Sequence, residues 1–327
     1  MNITILDDWQ DTIRTLPAFK KVAGHDVKVW NDHTKDTDTL AERLQDTEVL
    51  VLIRERTPIK AALLERLPKL RMITQVGVFP HVDVDAATKR GIIMSSLTGP
   101  GRPSYATAEL NWGLVIAAFR RIPQEAAALK AGKWQAYSIG SGIRGKTLGI
   151  FGYGKIGAVV AGYGKAFGMP VQVWGRQSTL DKAAADGYAA AKSREAFFEE
   201  CDVVSLHLRL IPETRGIVTA ADLARMKPTA LLVNTSRAGL VEAGALEKAL
   251  KAGRPGMAAI DVFEDEPVVG ASHPLLAMDN VVAVPHLGYV ERDSLAHMFE
   301  TIFDQVLAYA NGKPINVQNP EALAKRS

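Results

Sequence analysis

The segment Thr147-Leu-Gly-Ile-Phe-Gly-Tyr-Gly-Lys-Ile-Gly157 constrains the fold more than any other part of the chain. An apolar run leads into a glycine-rich turn, and a helical pattern follows. Gly152, Gly154 and Gly157 fit G-x-G-x-x-G. The first glycine permits a tight turn, the second lets backbone approach a pyrophosphate, and the third lets the helix pack close to its strand. The helix N-terminus then offers N–H groups and the positive end of its dipole to the phosphates. Tyr153, Lys155 and Ile156 complete the predicted cofactor-binding turn. A second Gly-Tyr-Gly-Lys, at Gly162–Lys165, has no strand before it and reads as close helix packing.

Short apolar runs alternate with helical patterns on both sides of this segment. Before it lie Ile3–Leu6, Val27–Trp30, Val49–Ile53, Met72–Val76 and Ile92–Met94. From it onward come Thr147–Phe151, Val171–Trp174, Val203–Leu206, Ala230–Asn234, Met257–Ile260 and Val281–Val284. Strands alternating with helices predict an α/β fold with two Rossmann-like, doubly wound parallel-sheet domains. Gly99-Pro-Gly-Arg-Pro103 reads as a hinge,. Ser104 then reads as the N-cap of a helix running to about Ile122,. That helix carries Leu110, Trp112, Leu114, Val115, Ile116 and Phe119, apolar on most sides. Such a helix is expected to be buried between domains or subunits, and it is the predicted homodimer contact. A last helical stretch, Ser294–Ala310, is expected to return to the first domain. The expected division is 1–98 plus 290–327, discontinuous and flavodoxin-like, and 99–289, the nucleotide-binding domain.

The length of 327 residues fits two such domains,. A net charge of +3 gives no argument for nucleic acid or an anionic membrane surface,. The apolar runs break before the roughly 18–20 residues a membrane helix needs. Met1-Asn-Ile-Thr-Ile-Leu-Asp-Asp8 reads as a strand, not as a signal peptide,. Cys201 is the one cysteine, so no intrachain disulfide can form,. A cytoplasmic enzyme is the expectation, and no His, Cys or acid spacing points to a metal.

In open α/β sheets ligands bind beyond the carboxyl ends of the strands. The residues just past the strands of the second domain are Gly152, Arg176, His207, Arg237, Asp261 and His286. Two arginines, two histidines and an acid around a dinucleotide suggest a redox site with a proton donor and an anion anchor. NAD-specific folds carry an acid about 20 residues past the glycine turn, bonded to the ribose 2′-OH. Here Val173-Trp-Gly-Arg-Gln-Ser178 has no acid before Asp181. Arg176 and Ser178 can bind a 2′-phosphate instead, so NADP is favoured over NAD.

Together these residues resemble the D-isomer-specific 2-hydroxyacid dehydrogenase family. The resemblance rests on the glycine turn, on Val204-Ser-Leu-His-Leu with Pro212-Glu-Thr-Arg215, and on Asn234-Thr-Ser-Arg237. Asp261-Val-Phe-Glu-Asp-Glu-Pro267 followed by Pro285-His-Leu-Gly288 completes it. It covers nearly the whole chain. It implies an active-site cleft between two domains, usually in a dimer. It places the family arginine on Arg237, the family glutamate on Glu266 and the family histidine on His286. Asp261 matches the acid on the nicotinamide carboxamide side, and His207, Thr214 and Thr235 are further expected cofactor contacts. Substrate contacts are expected at Arg54, Val76 and Gly77, with backbone N–H groups around Gly77 receiving a carboxylate. The chain departs from the common family loop with Phe79, Pro80 and His81 where many members have Gly, Asp and Asn.

The residue types suit reduction of a small 2-oxo acid such as glyoxylate or hydroxypyruvate. A guanidinium fork can bind the carboxylate and polarise the ketone. His286 can protonate the developing alkoxide, with Glu266 orienting its ring. One alternative is a phosphoglycerate dehydrogenase-like enzyme. Such enzymes often carry a further C-terminal domain, and a phosphorylated substrate asks for more basic residues in the first domain. Another alternative is a non-enzymatic, cofactor-sensing corepressor.

Overall fold

The structure is a computed structural model that describes residues 1–98 and 105–325. The expected Gly99–Pro103 hinge and Ser104 cap lie outside the described residues. By internal contacts the chain divides into two compact units, Met1–Arg102 with Glu291–Ser327, and Pro103–Val290.

The first unit holds five parallel strands: β1 (Asn2–Ile5), β2 (Asp26–Val29), β3 (Val49–Val51), β4 (Met72–Val76) and β5 (Ile93–Leu97). Their order is β2-β1-β3-β4-β5, the flavodoxin-like arrangement,. The central strands are apolar runs because a parallel sheet is covered on both faces. Helix Arg292–Ala310 lies on β4 and on the 3-10 segment Pro17–Val22. Its fully buried Gln305 donates to Thr74 Oγ1 at 3.1 Å and to the Gln75 carbonyl at 3.0 Å. Beyond it, Asn319 accepts from Met94 N–H at 2.8 Å and donates to the Ile92 carbonyl at 2.9 Å. The C-terminal segment is thereby tied to β5.

The second unit holds β6 (Leu148–Phe151), β7 (Val171–Trp174), β8 (Ala189–Ala190), β9 (Val203–Leu206), β10 (Leu231–Asn234), β11 (Met257–Ile260) and β12 (Val281–Ala283). The order is β12-β11-β10-β9-β6-β7-β8, all parallel. Counted from β6 as the first strand, this is the dinucleotide-binding order 3-2-1-4-5-6 with one strand added. Six of the seven strands are legible as apolar runs. The seventh, β8, is two exposed alanines at the sheet edge, with nothing in its composition to mark it.

Helix Tyr105–Arg120 buries Ala108, Trp112, Leu114, Val115, Ala118 and Phe119 within this unit. It packs on helix Lys155–Ala166 and on β10–β12, and Trp112 Nε1 donates to the Val160 carbonyl at 3.1 Å. Its apolar surface is therefore largely explained inside its own unit. Tyr105 is exposed at its first turn, and further exposed apolar side chains follow the helix at Ile122, Leu129, Trp134 (79 % exposed), Tyr137 and Ile139 (99 %). Gly164, in the second Gly-Tyr-Gly-Lys, is a packing glycine, because a Cβ there would lie 2.5 Å from Leu148 Cδ2.

Cys201 is fully buried beside β6. A Cβ at Gly149 would lie 2.6 Å from its Sγ and 2.8 Å from the Phe197 ring. Burial pushes the thiol up to about 12,. Among the described residues, no helix is long and apolar enough to cross a membrane.

Candidate active site

The glycine turn connects β6 to helix Lys155–Ala166. Gly152 has φ +94°, and a Cβ there would come within 2.8 Å of the His207 carbonyl oxygen. A Cβ at Gly157 would meet the Gly152 carbonyl oxygen at 2.4 Å. A Cβ at Gly154 would meet nothing within 4 Å. Two glycines are thus demanded by the fold, while the third presents an open face. Gly154 is the N-cap and no side chain caps the helix, so the first-turn N–H groups point out beside that face,. The cradle fits a pyrophosphate.

The expected cofactor residues are placed as follows. Lys155 and Ile156 open the helix, with Lys155 exposed. Tyr153 corrects its expectation, because its side chain turns into the core. Its hydroxyl donates to Asp186 Oδ2 at 2.8 Å and its ring lies 5.6 Å from that of Tyr188. Only its backbone belongs to the turn. Arg176 is the exposed N-cap of helix Gln177–Ala185, and Ser178 is exposed in its first turn. Among the described residues nothing engages the Arg176 side chain, while Asp181 accepts from Gln177 Nε2 at 2.7 Å. His207 backs the glycine turn, with its Cβ 3.3 Å from the position of a Gly157 Cβ. Burial lowers its imidazole to about 4, and its Nε2 lies 2.9 Å from Ser205 Oγ. By solvent exposure His207 is half-buried, with its ring held by Ser205 against the glycine turn. Thr214 uses its hydroxyl locally, donating to the Arg209 carbonyl at 2.6 Å and accepting from Ile211 N–H at 2.9 Å. Thr235 is buried and accepts from Asn111 Nδ2 at 3.3 Å.

Arg237, Asp261 and His286 follow β10, β11 and β12, three neighbouring strands of one sheet edge. Neighbouring strands are about 4.8 Å apart, so their carboxyl ends gather these side chains into one region. The turn carrying Arg237 is held by buried Asn234, which donates to the Arg237 carbonyl at 2.9 Å and accepts from Ser236 N–H at 3.0 Å. Ser236 Oγ donates to the Leu206 carbonyl at 2.7 Å, fastening that turn to the end of β9.

His286 has φ +53°, a left-handed conformation uncommon for a side-chain-bearing residue,. Its Nδ1 lies 2.6 Å from Glu266 Oε2, and Glu266 Oε1 accepts from Phe263 N–H at 2.9 Å. With Nδ1 on the carboxylate, Nε2 is the ring nitrogen left to exchange a proton. The adjacent acid, Glu264, is engaged elsewhere, by His273 Nε2 at 3.0 Å. Asp261 is fully buried and accepts from Leu287 N–H at 2.5 Å and Gly288 N–H at 2.8 Å. Burial pushes it up to about 6, against the pull of those amides and of His286,. Both of its oxygens thus hold the backbone beside His286.

In the first unit Arg54 has φ +60° and its guanidinium lies on Gly77, where a Cβ would come within 2.9 Å of Nη1. Gly77, at φ +99°, follows Val76 at the end of β4. Its own N–H donates to the Leu97 carbonyl at 3.1 Å, which leaves the neighbouring N–H groups for the expected carboxylate. His81 is buried, with neither ring nitrogen partnered among the described residues, and burial lowers it to about 4.

Sequence reading missed Thr107, Asn111 and Ser205, which are buried and hydrogen-bonded beneath these turns. The available signal was a lone amide in the apolar stretch Leu110-Asn-Trp-Gly-Leu-Val115.

A 3-2-1-4-5-6 parallel sheet with an open glycine cradle after its first strand defines a dinucleotide-binding protein, and a histidine–carboxylate pair at the same sheet edge suits an oxidoreductase. Comparison with known proteins agrees. The family model described as D-isomer specific 2-hydroxyacid dehydrogenase, NAD binding domain, matches residues 112–288. A glyoxylate reductase of Aeropyrum pernix is 37 % identical over 314 residues, 92 % of each chain. A D-3-phosphoglycerate dehydrogenase of Methanocaldococcus jannaschii is 38 % identical over 265 residues, covering 80 % of this chain and 49 % of the relative. A crystal structure from Ralstonia solanacearum, provisionally named a D-3-phosphoglycerate dehydrogenase oxidoreductase, superposes with a TM-score of 0.94 at 51 % identity over 98 % of both chains. The chain belongs to the D-isomer specific 2-hydroxyacid dehydrogenase family. It is an oxidoreductase that uses a nicotinamide cofactor.

Proposed function

We propose that the enzyme reduces a small 2-oxo acid to the D-2-hydroxy acid with NADPH. The observation that carries this reading is the 2.6 Å His286–Glu266 pair on the sheet edge that also bears Arg237. A nicotinamide cofactor would supply the hydride. Arg237 binds the substrate carboxylate and polarises the ketone through its planar fork. His286 gives its Nε2 proton to the alkoxide oxygen, and Glu266 holds the ring in the tautomer that can do so. Asp261 holds the turn through Leu287 and Gly288. In the first unit Arg54, Val76 and Gly77 are the assigned substrate contacts.

The test is turnover of a panel of 2-oxo acids, followed as loss of reduced-cofactor absorbance. NADPH oxidation with glyoxylate or hydroxypyruvate is expected. The names of two of the relatives favour a second reading, a phosphorylated 2-hydroxy acid, so the panel includes one with each oxidised cofactor. Tight cofactor binding without turnover of any acid would instead point to a cofactor sensor. The exposed Arg176 at a helix N-terminus is assigned to the 2′-phosphate. Arg176→Ala is expected to lower the preference for NADPH over NADH by about 10- to 100-fold, the worth of a hydrogen bond to a charged group. An unchanged preference would refute that role.

The homodimer contact is assigned to the exposed apolar residues of 122–139 rather than to helix 105–120, whose apolar face is largely covered in its own unit. Sedimentation at about twice the 35.4 kDa chain mass is expected, and a monomeric mass would refute it,.

A further inference from the structure

Thr107 and Asn111 stand one turn apart on helix Tyr105–Arg120, so they share a face,. Both are buried, and Asn111 is wholly so. Thr107 Oγ1 donates to the Gly288 carbonyl at 2.6 Å. The N–H of that same glycine is held by Asp261 at 2.8 Å, and the preceding N–H, of Leu287, at 2.5 Å. The backbone that follows His286 is therefore gripped from two sides while His286 itself sits at φ +53°. One turn further on, Asn111 Nδ2 donates to Ser205 Oγ at 2.9 Å and to Thr235 Oγ1 at 3.3 Å. Ser205 meets His207 Nε2 at 2.9 Å, and His207 backs the glycine turn. Thr235 lies two residues before Arg237. One helix face thus touches the His286 turn, the Arg237 turn and the floor of the cofactor cradle.

Packing alone does not explain the choice of residues. Among the described residues Asn111 Oδ1 has no partner, and a buried amide left half-bonded costs stability,. The site keeps a polar group at the expense of the core.

We propose that Thr107 and Asn111 are positioning residues, which fix His286 and Arg237 relative to each other and to the cofactor cradle. This rests on the catalytic reading given above.

The experiment compares Thr107→Val, which removes the donor at constant shape, Thr107→Ser, which keeps it, and Asn111→Leu. Steady-state kcat and KM are measured on the full chain, with Tm as the control for folding. In parallel, the imidazole signals of His286 are titrated in 15N-histidine-labelled protein without substrate, assigned by their loss in His286→Asn. Thr107→Val is expected to lower kcat by about 10- to 100-fold with Tm near that of the parent and with a shifted His286 titration. Thr107→Ser is expected to recover kcat to within about three-fold and to restore the titration. Asn111→Leu is expected to lower kcat by about ten-fold or more with a fall in Tm of only a few degrees, because Ser205 keeps His207 and Thr235 alone loses its partner,. A Thr107→Val enzyme with parental kcat and titration overturns the assignment, as does a Thr107→Ser enzyme no better than Thr107→Val. If Thr107→Val does not fold, a folded Asn111→Leu with parental kcat overturns it. If the parent protein turns over no 2-oxo acid, the functional reading has failed. The His286 signals then decide separately: moved in Thr107→Val and restored in Thr107→Ser upholds positioning, and unmoved overturns it.

Discussion

His286→Asn is expected to lower kcat by about 10²–10⁴ while the reduced nicotinamide cofactor still binds within about two-fold of its parental affinity. Asparagine is the better probe here than alanine. His286 is left-handed at φ +53°, a conformation that asparagine tolerates and alanine adopts only with strain,. The substitution therefore removes the titratable ring with little disturbance of the Leu287 and Gly288 amides on Asp261. In the proposed reaction the proton moves only as the alkoxide forms, so loss of its donor should appear in kcat. The affinity for that cofactor, read by fluorescence in the absence of substrate, should survive, because the cradle is built by β6 and the following helix. A variant with parental kcat would remove His286 from the chemistry and leave its pairing with Glu266 a structural contact.

The glycine turn offers the second large effect, and it separates two roles within one motif. Gly157→Ala forces a Cβ to within 2.4 Å of the Gly152 carbonyl oxygen, and backbone on both sides must give way. Overpacking of this kind costs about 1–3 kcal/mol, and a unit of this size loses about 2–4 °C of Tm per kcal/mol. Both Tm and cofactor affinity should fall. Gly154→Ala adds a Cβ that meets no protein atom within 4 Å, at a φ of −97° that alanine adopts freely. Its Tm should stay at the parental value while affinity for the nicotinamide cofactor drops by about ten-fold or more, because in this motif the second glycine is where backbone approaches the pyrophosphate. Parental affinity in Gly154→Ala would place the pyrophosphate elsewhere.

The parts of this molecule legible in its sequence are those governed by local rules. The G-x-G-x-x-G spacing and the apolar runs of six strands in the second unit and all five in the first are written in contiguous residues. What escaped depends on residues far apart. Asn111 meets Ser205 across 94 positions, and Thr107 meets Gly288 across 181. No periodicity in helix 105–120 announces those partners. Tyr153 belongs to the nucleotide turn by its backbone, and the motif does not record that Asp186, 33 residues on, takes its hydroxyl. For the apolar helix, a sequence records how much surface is apolar and not which neighbour covers it, and its own unit covers much of it. The Gly77 N–H is taken up because parallel pairing with β5 extends one residue past the strand as the apolar run defines it.

Cys201 gives the molecule a built-in gauge. Its sulfur occupies the space opposite Gly149 and beside Phe197, and its thiol is held in the unreactive, protonated form,. A thiol-labelling reagent can reach it only when the sheet of the second unit opens around β6. Labelling rate therefore reports the opening of that unit alone, through the one sulfhydryl in the chain and without an engineered probe,. Since the first unit has no cysteine, comparing labelling with a global optical signal would show whether the two units come apart in a single event or one after the other.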